Sequence, residues 1–99
     1  MATTKQYRDF ILEQLNLLTD IFCRPMMGEY LLYYNNKLFG GIYDNRLLIK
    51  IVTNNKKYQL SEQIPYSGAK PMYFIEEIDN KELLKTIIID TCEGLPDKK

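Results

Sequence analysis

Apolar residues recur along this chain with two periods, and the change of period marks the elements. Tyr7, Phe10, Ile11, Leu15, Leu18 and Phe22 follow one another mostly at three- and four-residue steps, the spacing of one helical face. Lys5, Arg8, Asp9, Glu13 and Asn16 fall on the opposite, wet side. Thr3-Thr4-Lys5-Gln6 has the capping-box spacing, in which the Thr3 hydroxyl serves a backbone N–H and Gln6 reaches back. The pattern predicts a first helix from about Thr4 to Thr19. Ile21 to Pro25 reads as extended, because Pro25 biases Arg24 away from helical backbone angles.

Strand signals follow. Glu29 to Tyr34 is rich in Tyr and Leu, and Asn35-Asn36 after it tolerates the positive φ of a tight turn. Lys37 to Tyr43 is the next strand, Asp44-Asn45 a second turn of the same chemistry, and Arg46 to Val52 a third strand. Such short turns force antiparallel neighbours, so residues 28–52 are expected to form a three-stranded meander. Lys57 to Gln63 is a candidate short helix. Ile64-Pro65-Tyr66-Ser67-Gly68 is a loop. Met72 to Ile78 is a strand with Tyr73 and Ile75 on one face. Asp79-Asn80-Lys81-Glu82 opens a last helix with the apolar line Leu83, Leu84, Ile87, Ile88 and Leu95, stopped by Gly94 and Pro96. Two amphipathic helices need a surface to cover. The expected class is α+β: two layers, an antiparallel four- to five-stranded sheet with helices packed on one face.

Composition narrows the function classes. The chain has 99 residues, 45% of them hydrophobic and 26% charged, which suits one domain over residues 1–99 and excludes a disordered, highly charged tail. Thirteen basic residues balance 13 acidic ones, and there is no histidine. No His-based triad, imidazole metal ligand or imidazole pH switch can be built. The only basic doublets, Lys56-Lys57 and Lys98-Lys99, read as solvated loop and tail. Without a basic stripe, direct nucleic-acid binding is not expected. No apolar run reaches membrane-span length. Cys23 and Cys92 cannot hold zinc unaided. The N-terminus lacks a signal-peptide core, so both thiols are expected reduced, in the cytoplasm. No cofactor and no metal are implied.

Three features stand out as candidate chemistry. Arg24-Pro25-Met26-Met27-Gly28-Glu29-Tyr30 sets a cation, a rigid proline, two thioethers and an acid before a strand; Arg24 is placed to bind an anion or pair with Glu29. Gly40-Gly41 inside a strand pattern points to a bulge or a close approach to the backbone. Eight tyrosines, with Tyr30, Tyr33, Tyr34 and Tyr43 on the hairpin, suit an interface. Glu76 and Glu77 face opposite ways in a strand and form no catalytic pair.

The run from Arg24-Pro25-Met26-Met27-Gly28 through Tyr30, Phe39 and Arg46-Leu47 to Lys50 resembles the N-terminal domain of the TfoX/Sxy competence-regulator family, and Pro65-Tyr66-Ser67-Gly68-Ala69-Lys70-Pro71-Met72 matches a later family segment. The resemblance implies a fold similar to type III secretion chaperones. It also implies a regulatory, non-enzymatic role beside a transcription regulator, the cyclic-AMP receptor protein in the full-length members. The C-terminal helical domain of those members is expected to be absent. The expected function is therefore a stand-alone regulatory domain acting through protein contacts, as a homodimer or on another protein, by way of the Met26/Met27 edge and the tyrosine-bearing hairpin. The alternative is a small-molecule (anion) binding or enzymatic domain with Arg24, Arg46 and Lys50 around a cleft beside Gly40-Gly41.

Overall fold

A computed structural model describes residues 3–96; the Lys98-Lys99 doublet lies outside them. Helix α1 spans Lys5–Gln14. Four strands follow, β1 (Ile21–Met26), β2 (Glu29–Tyr34), β3 (Lys37–Ile42) and β4 (Leu47–Ile49). Each is joined to the next by a two-residue turn with both central residues at positive φ: Met27 (52°) and Gly28 (87°), Asn35 (50°) and Asn36 (66°), Asp44 (52°) and Asn45 (57°). Such turns match the twist of the strands they join. The first was not anticipated, because a methionine seldom takes this conformation; Gly28 beside it carries the second position without strain. The meander therefore has four strands rather than three, with Ile21–Met26 paired residue for residue against β2.

A 3₁₀ helix, Thr53–Tyr58, comes next and ends at Gln59 in the left-handed region, φ 55°. The chain then turns into β5 (Ser61–Gln63), so the short helix expected over Lys57–Gln63 is replaced by these two elements. Ser61, Glu62 and Gln63 carry no apolar alternation because β5 is an edge strand paired with one neighbour only. Strand β6 (Met72–Phe74) inserts between β5 and β4, giving one antiparallel six-stranded sheet in the order β1-β2-β3-β4-β6-β5. The sheet exceeds the expected four to five strands because β1 and β5 join it at its two edges.

Helix α2 (Lys81–Glu93) is capped by Asn80, whose Oδ1 accepts from the Leu83 N–H at 3.1 Å. Helix α1 is capped by Thr4, which accepts from the Tyr7 N–H, and not by Thr3. The Thr3 hydroxyl is engaged instead by the Glu29 carboxylate at 2.7 Å. Both helices cover one sheet face. Leu32, Ile42, Leu47, Ile49 and Tyr73 point to it, and Ile11 and Leu15 of α1 and Leu84, Ile87 and Ile88 of α2 close the core over them. Each such side chain contributes ~1.5–3 kcal/mol by burial. Gln14, at the end of α1, donates to the Ile78 carbonyl at 2.7 Å and ties α1 to the segment that leads into α2.

The 3₁₀ helix is tied to α2 by charge as well as by packing. Tyr58 donates its hydroxyl hydrogen to Asp90 Oδ2, and Lys57 Nζ lies 3.2 Å from the same oxygen. Burial, helped by the bond to Asp90, pushes the Tyr58 hydroxyl up to about 12. The Tyr58 hydrogen bond, with Lys57 beside it, holds the Asp90 carboxyl below its ordinary value against the opposing effect of burial. Tyr58 thus stabilises the fold below its unfolded pKa of about 10 and loses that contribution as pH rises towards its folded value. Asp90 stabilises above the unfolded carboxyl range and loses its contribution as pH falls through its lowered value. Tyr58→Phe is expected to flatten both limbs, so that urea midpoints at about pH 8 and about pH 11 lie closer together than in the wild type. Equal pH dependence in the two proteins would show that this pair is not coupled to folding.

Candidate functional site

Strand alternation sends a second set of side chains to the face that the helices leave open. Register places Phe22 and Arg24 of β1, Leu31 and Tyr33 of β2, Gly41 of β3, Leu48 of β4 and Phe74 of β6 there. This face has two unlike halves. At the β1–β2 end Phe22 is 59% exposed with its ring 5.8 Å from that of Tyr33. At the β4–β6 end the segment 64–71 folds across the strands, and Leu48 is fully buried.

Arg46 fixes that segment. Its Nη1 donates to Gln63 Oε1 at 2.7 Å, its Nη2 to the carbonyls of Ile64 and Pro65, and its Nε to the Tyr43 carbonyl. A planar fork of donors can hold several acceptors in one geometry. Between the anchored segment and the sheet lies a cleft of about 610 Å³. Leu38, Gly40 and Met72 supply its sheet side, Pro65, Tyr66 and Pro71 its opposite side, and Lys50 and Lys70 both line it. Tyr43 and Tyr66 pack with ring centroids 6.1 Å apart. Burial, above all, raises the Tyr43 hydroxyl.

The expected site residues divide among these places. Lys50, Gly40 and Tyr43 line the cleft. Arg46 is engaged in holding the cleft's outer segment and does not line it. Arg24 lies at a separate surface hollow with Phe22, Tyr33 and Asn36. The three cations of the anion-site alternative therefore do not converge. Nor does Arg24 pair with Glu29, whose Oε1 accepts from the Thr3 N–H and hydroxyl and from the Asp44 N–H. Met26 is exposed, Met27 sits 95% exposed at the hairpin tip, and Gly28 completes that turn. Pro25 lies in the edge strand opposite Tyr30. The hairpin tyrosines do not share a surface: Tyr30 and Tyr34 pack against the core, with the Arg8 guanidinium 5.2 Å above the Tyr30 ring, while Tyr33 and Tyr43 are on the outer face. Both cysteines are free thiols, each with its pKa raised chiefly by burial, Cys92 to about 11.

Sequence reasoning read Pro65 and Tyr66 as loop and placed them, with Lys70, in a segment of family resemblance, but assigned none of the three to a site. The usable signal was the pair Pro65 and Pro71 framing a tyrosine, since two fixed φ angles restrain a short segment. Among the described residues, no helix is long and apolar enough to cross a membrane. No family model matches the chain. Over 102 aligned residues it is 28% identical to the "uncharacterized 12.7 kDa protein in trpE 5′ region" of Spirochaeta aurantia, an alignment that takes in all of this chain and 89% of that protein.

Proposed function

We propose that this chain is a non-enzymatic regulatory domain of the cytoplasm that resembles the N-terminal domain of the TfoX/Sxy regulators and docks a protein partner on the bare half of its outer sheet face. Phe22 carries the reading. It is a large aromatic side chain held outward on a strand, packed at a tilt against Tyr33 and next to Arg24. A single exposed apolar residue needs no explanation, but an aromatic pair beside an arginine has the composition of an interface centre. Pro25 removes a backbone donor from edge strand β1, which disfavours extension of the sheet by an added strand. Recognition therefore falls to side chains. No described carboxylate forms an ion pair with Arg24. A two-fold axis over Phe22 would bring two Arg24 side chains together, which favours a different chain presenting a carboxylate over a second copy. A transcription regulator is the partner class that the resemblance implies.

The test is photo-crosslinking in the native cell from benzoylphenylalanine at position 33. The expected result is a discrete adduct with another protein, lost in Phe22→Glu and Arg24→Glu but kept in Leu17→Glu, which alters an exposed apolar residue in the turn after α1. Phe22→Glu is expected to cost ~30-fold or more in affinity, the scale of an interface centre. An adduct that survives Phe22→Glu, an adduct of two copies of this chain, or no adduct would each overturn the reading.

A further inference from the structure

The cleft under the 64–71 segment lies at the other end of the face from Phe22, and its composition sets it apart. Its volume, about 610 Å³, is that of a small-molecule site. It is mostly apolar, lined by Leu38, Ile51, Pro65, Pro71 and Met72, with the aromatic pair Tyr43 and Tyr66. Its charged residues are Lys50 and Lys70, and none of its 11 lining residues is Asp or Glu. Neither lysine forms an ion pair among the described residues. Lys50 is half-buried and Lys70 exposed, so the cleft presents two cations and no counter-charge of its own. Arg46 does not supply a third free cation, because its guanidinium is already committed to Gln63, Ile64, Pro65 and Tyr43. The result is an apolar slot whose outer segment is anchored at its start by Arg46 and closed on itself by the Ala69 N–H on the Tyr66 carbonyl, so part of the cost of ordering it is met before any ligand arrives.

We infer that this cleft binds a small organic anion, a flat apolar or aromatic body carrying one carboxylate or comparable acid, with the body against Tyr43 and Tyr66 and the acid between Lys50 and Lys70. The apolar lining holds the body by removing it from water. The lysines select for the charge. A neutral molecule of the same shape gains only the first effect, and a compact inorganic anion gains only the second.

Two probes of one shape separate these effects: 1-naphthoate and its uncharged amide, each titrated into the ¹⁵N-labelled chain and followed by NMR. Saturable shifts are expected at Gly40, Ala69 and Met72. Naphthoate is expected to bind about tenfold tighter than the amide or better, a difference of about 1.4 kcal/mol. In the double variant Lys50→Met/Lys70→Met that preference is expected to vanish while amide affinity is kept, which also shows that the variant is folded. Lys85→Met, on an exposed face of α2, is expected to leave the preference intact, and Ala69→Trp, which fills the slot, to remove both ligands. Equal affinity for the two probes, a preference that persists in the double variant, shifts centred on Phe22 and Tyr33, or no saturable binding would overturn the inference.

Discussion

Asn55→Ala is expected to destabilise the domain by about 4 kcal/mol, a large part of the ~5–15 kcal/mol available to a chain of this size. Asn55 is fully buried between the 3₁₀ helix, the end of β4 and α2. Its Oδ1 accepts from the Val52 N–H at 3.1 Å, and its Nδ2 donates to the Lys50 carbonyl at 2.8 Å and to Thr91 Oγ1 at 2.9 Å. Thr91 in turn donates to the Ile87 carbonyl of its own helix. Alanine takes away the partner of the part-buried Val52 N–H and Lys50 carbonyl, at roughly 1 kcal/mol or more each, breaks the buried bond to Thr91 and adds a void. Urea unfolding checks this: the midpoint should fall by about 2 M for a slope near 2 kcal/mol/M. Asn55→Asp separates hydrogen bonding from volume. It keeps the bond from Val52 but sets an acceptor, charged at neutral pH, against the Lys50 carbonyl, so it should destabilise comparably although the side chain is isosteric. A near-wild-type Asn55→Asp would mean that packing alone holds this junction. Because Asn55 fixes the Lys50 backbone, the same side chain also sets where one of the two cleft lysines begins.

The legible parts of this fold are those in which a residue's own preference agrees with its place. Asn35-Asn36 and Asp44-Asn45 announce their turns because Asn and Asp accept positive φ, and Asn80 caps α2 by the chemistry that favours it there. Where tertiary contact overrides local preference, sequence reading falls short. Met27 takes a left-handed conformation that β1–β2 pairing imposes on it. Leu15 and Leu18 continue the helical period past Gln14, yet they reach the core from the turn after α1, so the period overstated the helix. Ser61–Gln63 has no strand pattern because β6 alone recruits it. The candidate site was legible only in fragments. Arg24 and Lys50 are both cations of one sheet face region in sequence terms, but β1 and β4 are three strand spacings, about 14 Å, apart. Arg46 finds its acceptors 17 to 19 residues further on, in a segment with no pattern linking it to a guanidinium. Lys70 lines one cleft with Lys50 only because the 64–71 segment crosses the sheet.

Gly40→Ala is expected to cost about 4 kcal/mol or more, enough to lower the melting temperature by about 16 °C or to leave the chain unfolded. The reason lies in the register of β3. Leu32 pairs with Gly40 and Tyr33 with Leu38, so Phe39 is the extra residue of a bulge, and its side chain is fully buried. The bulge drives the backbone at position 40 onto β4: a Cβ there would stand 2.2 Å from the Leu48 carbonyl oxygen and 2.8 Å from Ile49 Cα. Neither atom can yield, because β4 is paired on both sides, with β3 and with β6. At Gly41 a Cβ would meet the Tyr30 carbonyl oxygen at 2.5 Å and the Tyr43 ring at 2.8 Å; the ring can swing but the carbonyl cannot, so Gly41→Ala should cost somewhat less, about 3 kcal/mol. Gly68 has open space around its missing Cβ and only a positive φ of 86° to defend, so Gly68→Ala should cost about 1 kcal/mol. Thermal melts of the three variants should therefore rank Gly40, Gly41, Gly68 from most to least damaging. A Gly40→Ala protein that melts with Gly68→Ala would mean that β3 does not close on β4 through this bulge. Gly40 also lines the cleft, but contact with β4 already forbids a side chain there, so strand packing accounts for this glycine without any ligand.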